Sequence, residues 1–244
     1  AGDAAHQNSP TGGLGLHTGM GDAVDLGWKL AAVLKGWGGE RLLDSYELER
    51  KPVAGNNVRA STAEFNVLAD MPGGPEIAED TPRGAELRHR FKEAFERTNQ
   101  VTTPTYTENL RLGYCYDRSP IVVPDGSPPV PLEKEEYDPA ARPGRRAPHA
   151  WIAEGRSTLD LFGDGFVLLR LGADPPPAGA LVAAAAQRGV PLRVVDLAAP
   201  RIAALYERRL VLVRPDGHVA WRADALPADP RALVDRVRGA DPPG

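Results

Sequence analysis

The stretch from residue 148 onward most narrowly limits what this chain can fold into, because its apolar residues change period in a fixed order. "FVLLRLG" at 166–172 and "PLRVVDL" at 191–197 are short runs dominated by apolar residues, which read as buried strands. Between them, "AGALVAAAAQRG" has the composition of a helix closed by a glycine. "RLVLVRPDGHVAWRA" then reads as a β-hairpin turning at Pro215-Asp216-Gly217, and "DPRALVDRVRG" as a closing helix with Asp229 or Pro230 at its start. Strand, helix, strand, hairpin and helix in this order predict a mixed α/β unit.

That order is the order of a thioredoxin-like domain. The single cysteine, Cys115, excludes a Cys-x-x-Cys pair, so the reading is of a structural domain without redox chemistry. Ahead of it, "SPPVPLEKEEYDPAARPGRR" at 127–146 is proline-rich and favours extended chain, which predicts a linker. The expected division is residues 1–126, a linker at 127–146, and a domain at 147–244. The first part reads as helical. One helix is expected over Thr18–Leu34, with Met20, Val24, Ala31 and Leu34 on its apolar face and Asp22 and Asp25 in its first turns; Gly36, Gly38 and Gly39 stop it. A second helical stretch contains Pro52 as a kink or first-turn residue, followed by Ala54, Val58, Ser61, Phe65 and Leu68 on one face. A third, about Ala85–Thr98, directs Leu87, Phe91, Ala94 and Phe95 inward and sets Glu86–Arg90 and Glu93–Arg97 pairs outside.

Composition removes whole classes of function. A net charge of −4 gives no basic footprint for nucleic acid or an anionic membrane surface. The longest apolar runs are far too short to span a bilayer. His89, His149 and His218 lie far apart with no ligand spacing, which argues against a metal site. Cys115 reads as a packed small side chain, since no activating base stands near it in sequence. Trp28, Trp37, Trp151 and Trp221 read as core or interface anchors. Asp44, Glu47, Glu49 and Arg50 read as a solvated helix face.

The chemistry is concentrated at the start, in "AGDAAHQNSPTGGLGLHTGMGDA". A Gly-Asp at the end of a strand, a glycine loop and a helix start together suit a polar or anionic ligand. The Asp3 carboxylate can accept from a sugar-like hydroxyl. Gly12, Gly13 and Gly15 allow positive φ and close approach of the backbone. The free N–H groups around Leu16 to Gly19 can stabilise negative charge. On these residues alone, a glycine-rich turn before a well-capped helix accounts for the stretch equally well.

"GDAAHQNSPTGGLGLHTGMGDAVDLGWKLAAVLKG" followed by "LLDSYELERKPVA" closely resembles the second flavin-binding motif of the class A flavin-dependent aromatic hydroxylases. The resemblance is strong over roughly the first quarter of the chain and continues unevenly to its end. It implies the C-terminal part of a flavin-binding Rossmann-like domain, followed by the thioredoxin-like domain of the larger members. It also implies that the Asp3 position binds the ribityl chain of FAD, that Pro10 lies beside the isoalloxazine, and that Thr11, Gly12, Gly13, Gly15, Leu16 and His17 line the pyrimidine edge, largely through backbone. His17 stands where the family usually has Asn, a tolerated substitution on this reading. His6 supports the loop, and the Glu-Arg pair of Glu49 and Arg50 braces its helix. No acid or base is assigned.

The implied activity is hydroxylation of a phenolic or polyketide-type aromatic molecule with O2, through a flavin C4a-hydroperoxide, with NAD(P)H as reductant. A cytoplasmic enzyme is expected, with no nucleic-acid or membrane partner, and a homodimer is among the states some relatives adopt. The Gly-x-Gly-x-x-Gly that cradles the FAD pyrophosphate and the central Asp-Gly motif are missing, so the chain is expected to be the C-terminal portion of a longer enzyme. The rival expectation is a naturally truncated, non-catalytic protein with a structural or interaction role. A flavin halogenase or reductase fits the Ser-Tyr-x-x-Glu-Arg stretch and the C-terminal pattern less well.

Overall fold

The computed structural model describes residues 1–101, 104–128 and 137–240. Its first part is helical. After 3-10 turns at Gly2–Ala4 and Thr11–Gly13 come α1 (Leu14–Leu34), α2 (Asp44–Ala69), α3 (Pro82–Val101) and α4 (Pro104–Leu112). The second part holds β1 (Trp151–Ala153), β2 (Arg156–Ser157), β3 (Phe166–Leu171), α5 (Gly179–Gln187), β4 (Leu192–Leu197), α6 (Pro200–Tyr206), β5 (Leu210–Val213), β6 (Val219–Ala223) and α7 (Pro230–Val237). Among the described residues no helix is long and apolar enough to cross a membrane.

The C-terminal elements form in the expected order, and β3 is buried as expected, but β4 is not: as the edge strand of the sheet it is covered less fully, and its residues are half-buried or exposed. The four-stranded sheet has the order β4-β3-β5-β6, with β3 and β4 parallel and the pairs β3–β5 and β5–β6 antiparallel. Side chains alternate across the strands, so one sheet feeds two cores. Phe166, Leu168, Leu210 and Leu212 pack with α5 and α7 on one face. Val167, Leu169, Val211 and Val213 pack with Ile202 and Tyr206 of α6 on the other. Asp229 caps α7 by accepting from the Arg231 and Ala232 amides, and Pro230 follows as its first residue.

The first core is completed from the N-terminal part. Trp37 and Leu42, from the α1–α2 connection, are buried in it, and Trp28 packs against it. The two indoles stack at 6.2 Å, and each meets Phe166 edge-on. Trp151, by contrast, is 56% exposed and anchors no core. Residues 137–146, at the end of the segment read above as a linker, run against the sheet: the Gly144 amide donates to Val219 and Arg146 bridges to His218. The Val123 amide donates to Ala220, which extends the β6 edge.

The helices depart from expectation in instructive ways. Helix α1 begins at Leu14, four residues early, because Gly13 at φ 62° serves as its N-cap and the Thr18 hydroxyl satisfies the Leu14 carbonyl inside the helix. Its buried face is Leu14, Thr18, Asp22, Asp25, Lys29 and Ala32. The expected apolar face is inverted: Met20, Val24 and Leu34 are exposed. Asp22 and Asp25 are core residues here and not dipole partners. In α2, Pro52 lies inside the helix, beyond its first turn. Ala54 and Ser61 are buried as expected, but Phe65 and Leu68, beyond the turn that covers Ser61, are exposed. Likewise α3 buries only Leu87 of its expected face; Phe91 and Phe95 stack on each other at the surface. Its ion pairs are Arg83–Glu86, His89–Glu93 and Lys92–Glu96. Glu86 is thus paired backwards in sequence, and the Arg97 side chain lies outside the described residues.

Candidate functional site

The opening Gly-Asp forms a 3-10 turn and not a strand end, with Gly2 at φ 61°. The turn is tied down by a buried carboxylate. The Gly2 amide and His6 Nε2 both donate to Asp22 Oδ2, at 2.9 and 2.7 Å, while Arg50 Nε donates to Asp22 Oδ1 at 2.8 Å. Burial by itself would raise the Asp22 carboxyl, but the bonds from Arg50, Gly2 and His6 hold it below the usual carboxylate range. Arg50 also donates to the Thr18 carbonyl and the Tyr116 hydroxyl. Helix α2 therefore holds the loop through α1.

A cleft of about 590 Å³ opens between this turn and the start of α1, and Asp3, Pro10, Gly13, Gly15 and Leu16 line it. Asn8 lines it too, and both polar atoms of its buried amide lack a hydrogen-bond partner. No side chain caps α1. A carboxylate, an unpartnered amide and an open helix N-terminus at one cleft fit the polar chain and electron-rich ring edge of a flavin.

The other expected site residues face elsewhere. The Thr11 hydroxyl donates to the Ser61 carbonyl at 2.7 Å, turned toward α2. Gly12 lies outside the cleft at φ 77°, where its carbonyl accepts from Arg111 and a Cβ would fall 2.3 Å from Glu64 Oε2. His17 Nδ1 contacts the Gly13 carbonyl at 2.9 Å, and its ring lines a second cavity of about 710 Å³ beside Tyr114, Arg146 and His218. Gly15 sits within the helix, so its value there is close approach and not positive φ.

Sequence reasoning missed the strongest electrostatic feature. Glu49 and Arg50 are buried, not solvated; among the residues of that charge run, Glu47 is exposed and pairs with Lys51. Lys29 donates to Asp25 and Glu49 at 2.8 and 2.7 Å. Arg214, from the hairpin, reaches Glu49 with both Nη atoms, Asp25 at 3.0 Å and Asp216. The Ser119 hydroxyl completes the shell on Glu49. Burial alone would raise Glu49, but Arg214 outweighs it and draws the carboxyl down to about 2. Burial and the neighbouring Glu49 push Asp25 up to about 8. The signal available in the sequence was that Asp22, Asp25, Lys29 and Ala32 share one helical stripe; it pointed to burial only with partners 20 to 189 residues away. Cys115 is half-buried, and burial pushes its thiol up to about 11, which suits a packed side chain and not a nucleophile.

Comparison with known proteins places these features. Residues 1–61 match the model of an FAD binding domain, and residues 140–240 match that of the aromatic-ring hydroxylase C-terminal domain. This chain is a relative of the C-terminal part of the FAD-dependent aromatic and polyketide monooxygenases. It is 38% identical to the FAD-dependent monooxygenase apdD of Emericella nidulans, over 99% of this chain and 40% of that protein. Against aklavinone 12-hydroxylase RdmE of Streptomyces purpurascens the identity is 36%, over 97% and 42%. Among solved structures, native and K252c-bound RebC-10x superposes with a TM-score of 0.86 at 48% identity, covering 99% of this chain and 45% of that one. A ternary complex of aklavinone-11 hydroxylase with FAD and aklavinone gives 0.71 at 35%, over 97% and 42%. The chain spans less than half the length of these relatives.

Proposed function

We propose that this chain supplies the C-terminal part of an FAD-dependent monooxygenase that hydroxylates a phenolic or polyketide-type aromatic substrate with O2, using NAD(P)H as reductant. The observation that carries the reading is the 590 Å³ cleft, where Asp3, the unpartnered Asn8 amide and the uncapped start of α1 converge within the stretch that matches an FAD binding domain. The bound flavin would supply the redox and oxygen chemistry. Asp3 would accept hydrogen bonds from the ribityl hydroxyls, and Pro10 would flank the ring. The backbone from Thr11 to His17 would present N–H groups and the positive end of α1 to the ring's electron-rich edge, stabilising negative charge without reorganisation.

The domain reading goes with it. Residues 1–126 would be the C-terminal portion of a Rossmann-like flavin domain, 127–146 the connection, and 147–244 a thioredoxin-like domain without redox cysteines. The strand order β4-β3-β5-β6, with β3 and β4 parallel, supports the last assignment. A cytoplasmic enzyme, with a homodimer among its states, completes the proposal.

The test is a chimera in which this chain replaces the corresponding part of RebC, with FAD binding followed by flavin fluorescence. The chimera should bind FAD stoichiometrically, and Asp3→Ala should weaken binding at least tenfold, while the 244-residue chain alone binds weakly or not at all. A folded chimera that takes up no flavin overturns the proposal.

A further inference from the structure

We propose that Arg214, carried on the C-terminal sheet, is a positioning residue for the flavin loop, and that it works through a buried junction holding one proton on Asp25. The loop's role as a flavin site rests on the reading above; the positioning itself does not.

The path is short and continuous. Arg214 holds Glu49 of α2 and Asp25 of α1. The next residue on α2, Arg50, holds Asp22 of α1, which in turn receives the Gly2 amide and His6 from the loop. Asn57, two turns further along α2, donates to Thr18 near the start of α1. One end of this framework is thus fixed to the C-terminal hairpin and the other to the loop beside Asp3. Arg214 is 0% exposed and has no freedom to pair elsewhere.

The proton follows from charge count and contact. Asp25, Glu49 and Asp216 face Lys29 and Arg214 with side-chain exposures of 0 or 1%, and Asp25 and Asp216 line the 710 Å³ cavity. Three carboxylates against two cations leave one negative charge uncompensated, which a buried site does not tolerate. Asp25 and Glu49 meet the same two cations, Lys29 and Arg214, which sets the two like charges against each other. Glu49 takes bonds from Lys29, Ser119 and both Arg214 Nη atoms, and Asp216 takes the Trp28 indole and the His218 amide besides Arg214. Asp25 has the fewest donors, so it keeps the proton; burial pushes its carboxyl up to about 8. The other groups facing the junction are Asp22, Arg50 and Tyr46 from the two helices, Tyr114 and Tyr116 from the segment after α4, and His218, whose Nδ1 lies 3.4 Å from Asp216.

The sign is definite. A carboxyl raised in the folded state stabilises fully below its unfolded value near 4, and that stabilisation is lost as pH rises towards about 8. The experiment uses the purified chain and the variants Asp25→Asn, Glu49→Gln and Arg214→Lys, with thermal melting at pH 6 and 9 and imidazole NMR of His6 and His17. We expect wild-type melting to fall by several degrees between the two pH values. Asp25→Asn, which mimics the protonated group, should melt as wild type at pH 6 and lose that pH dependence. Glu49→Gln should melt lower at both. Arg214→Lys should shift the His6 and His17 signals while His149, on the far side of the sheet unit, stays fixed. Equal damage from Asp25→Asn and Glu49→Gln at pH 6, or a proton found on His218 instead, overturns the proton assignment. Unmoved His6 and His17 signals overturn the positioning role, and if Arg214→Lys does not fold, Arg214→Gln combined with Asp25→Asn, read against Asp25→Asn alone at pH 9, where Asp25→Asn is the more stable background, makes the same comparison. None of these readouts involves flavin, so failure of the cofactor reading shows separately, in the chimera.

Discussion

Helix α1 and strand β5 solve the same packing problem in opposite ways. Strand β5 buries Leu210, Val211, Leu212 and Val213, with all four side chains in apolar cores on the two faces of the sheet. Helix α1 buries Asp22, Asp25 and Lys29 and leaves Leu16, Met20 and Val24 exposed. The strand is held by non-directional apolar burial, which any neighbour of suitable shape satisfies. The helix is held by charges that are tolerable only because each meets a specific partner. An apolar stripe in the sequence therefore locates a face, and the rest of the fold decides whether that face is turned inward.

If this contrast is correct, the largest effect should come from the charged junction. Arg214→Met leaves Asp25, Glu49 and Asp216 without their shared cation, and urea denaturation should show a loss of about 3–5 kcal/mol. A loss under 1 kcal/mol would mean the junction is wetter than its burial indicates. Leu168→Ala, at a fully buried position between α5 and the β5 partner Leu212, should cost about 2–5 kcal/mol. Gly12→Ala should cost roughly 1 kcal/mol, since it combines positive φ with displacement of the Glu64 carboxylate. Phe95→Ala and Met20→Ala remove exposed side chains and should stay within about 0.5 kcal/mol in this chain. A larger cost at Met20 would blur the distinction between the two faces of α1. At acid pH the directions reverse from those of Asp25: Glu49 and Asp125 are both held down to about 2, Asp125 by Ser127 and Arg222 against its own burial. Stability should fall as pH drops from about 5 towards 2, followed by circular dichroism.

The opening loop, proposed above as a flavin site, shows how unevenly sequence reveals a site. Asp3, Pro10, Gly13, Gly15 and Leu16 come together at one cleft because they are close in sequence and the loop has little room to disperse them. Thr11, Gly12 and His17 come from the same few residues but turn toward α2, Arg111 and the second cavity, since each finds a partner more than 45 residues away or a carbonyl of its own turn. Asn8 went unnoticed because an asparagine in a loop carries no signal until burial strips it of partners.

What the sequence determined by itself was local: the sheet unit with its helices and hairpin, the stop of α1 at Gly36, the cap at Asp229, and the loop that joins Gly-Asp to a helix start. Each of these rests on period or turn chemistry within a dozen residues. The tertiary structure decided which face of α1 is buried, that Glu49 and Arg50 are core residues, and that Arg214 joins the two parts. Those outcomes depend on charges finding partners across 165 and 189 residues, and a carboxylate has the same sequence signature whether it ends in water or against a buried guanidinium.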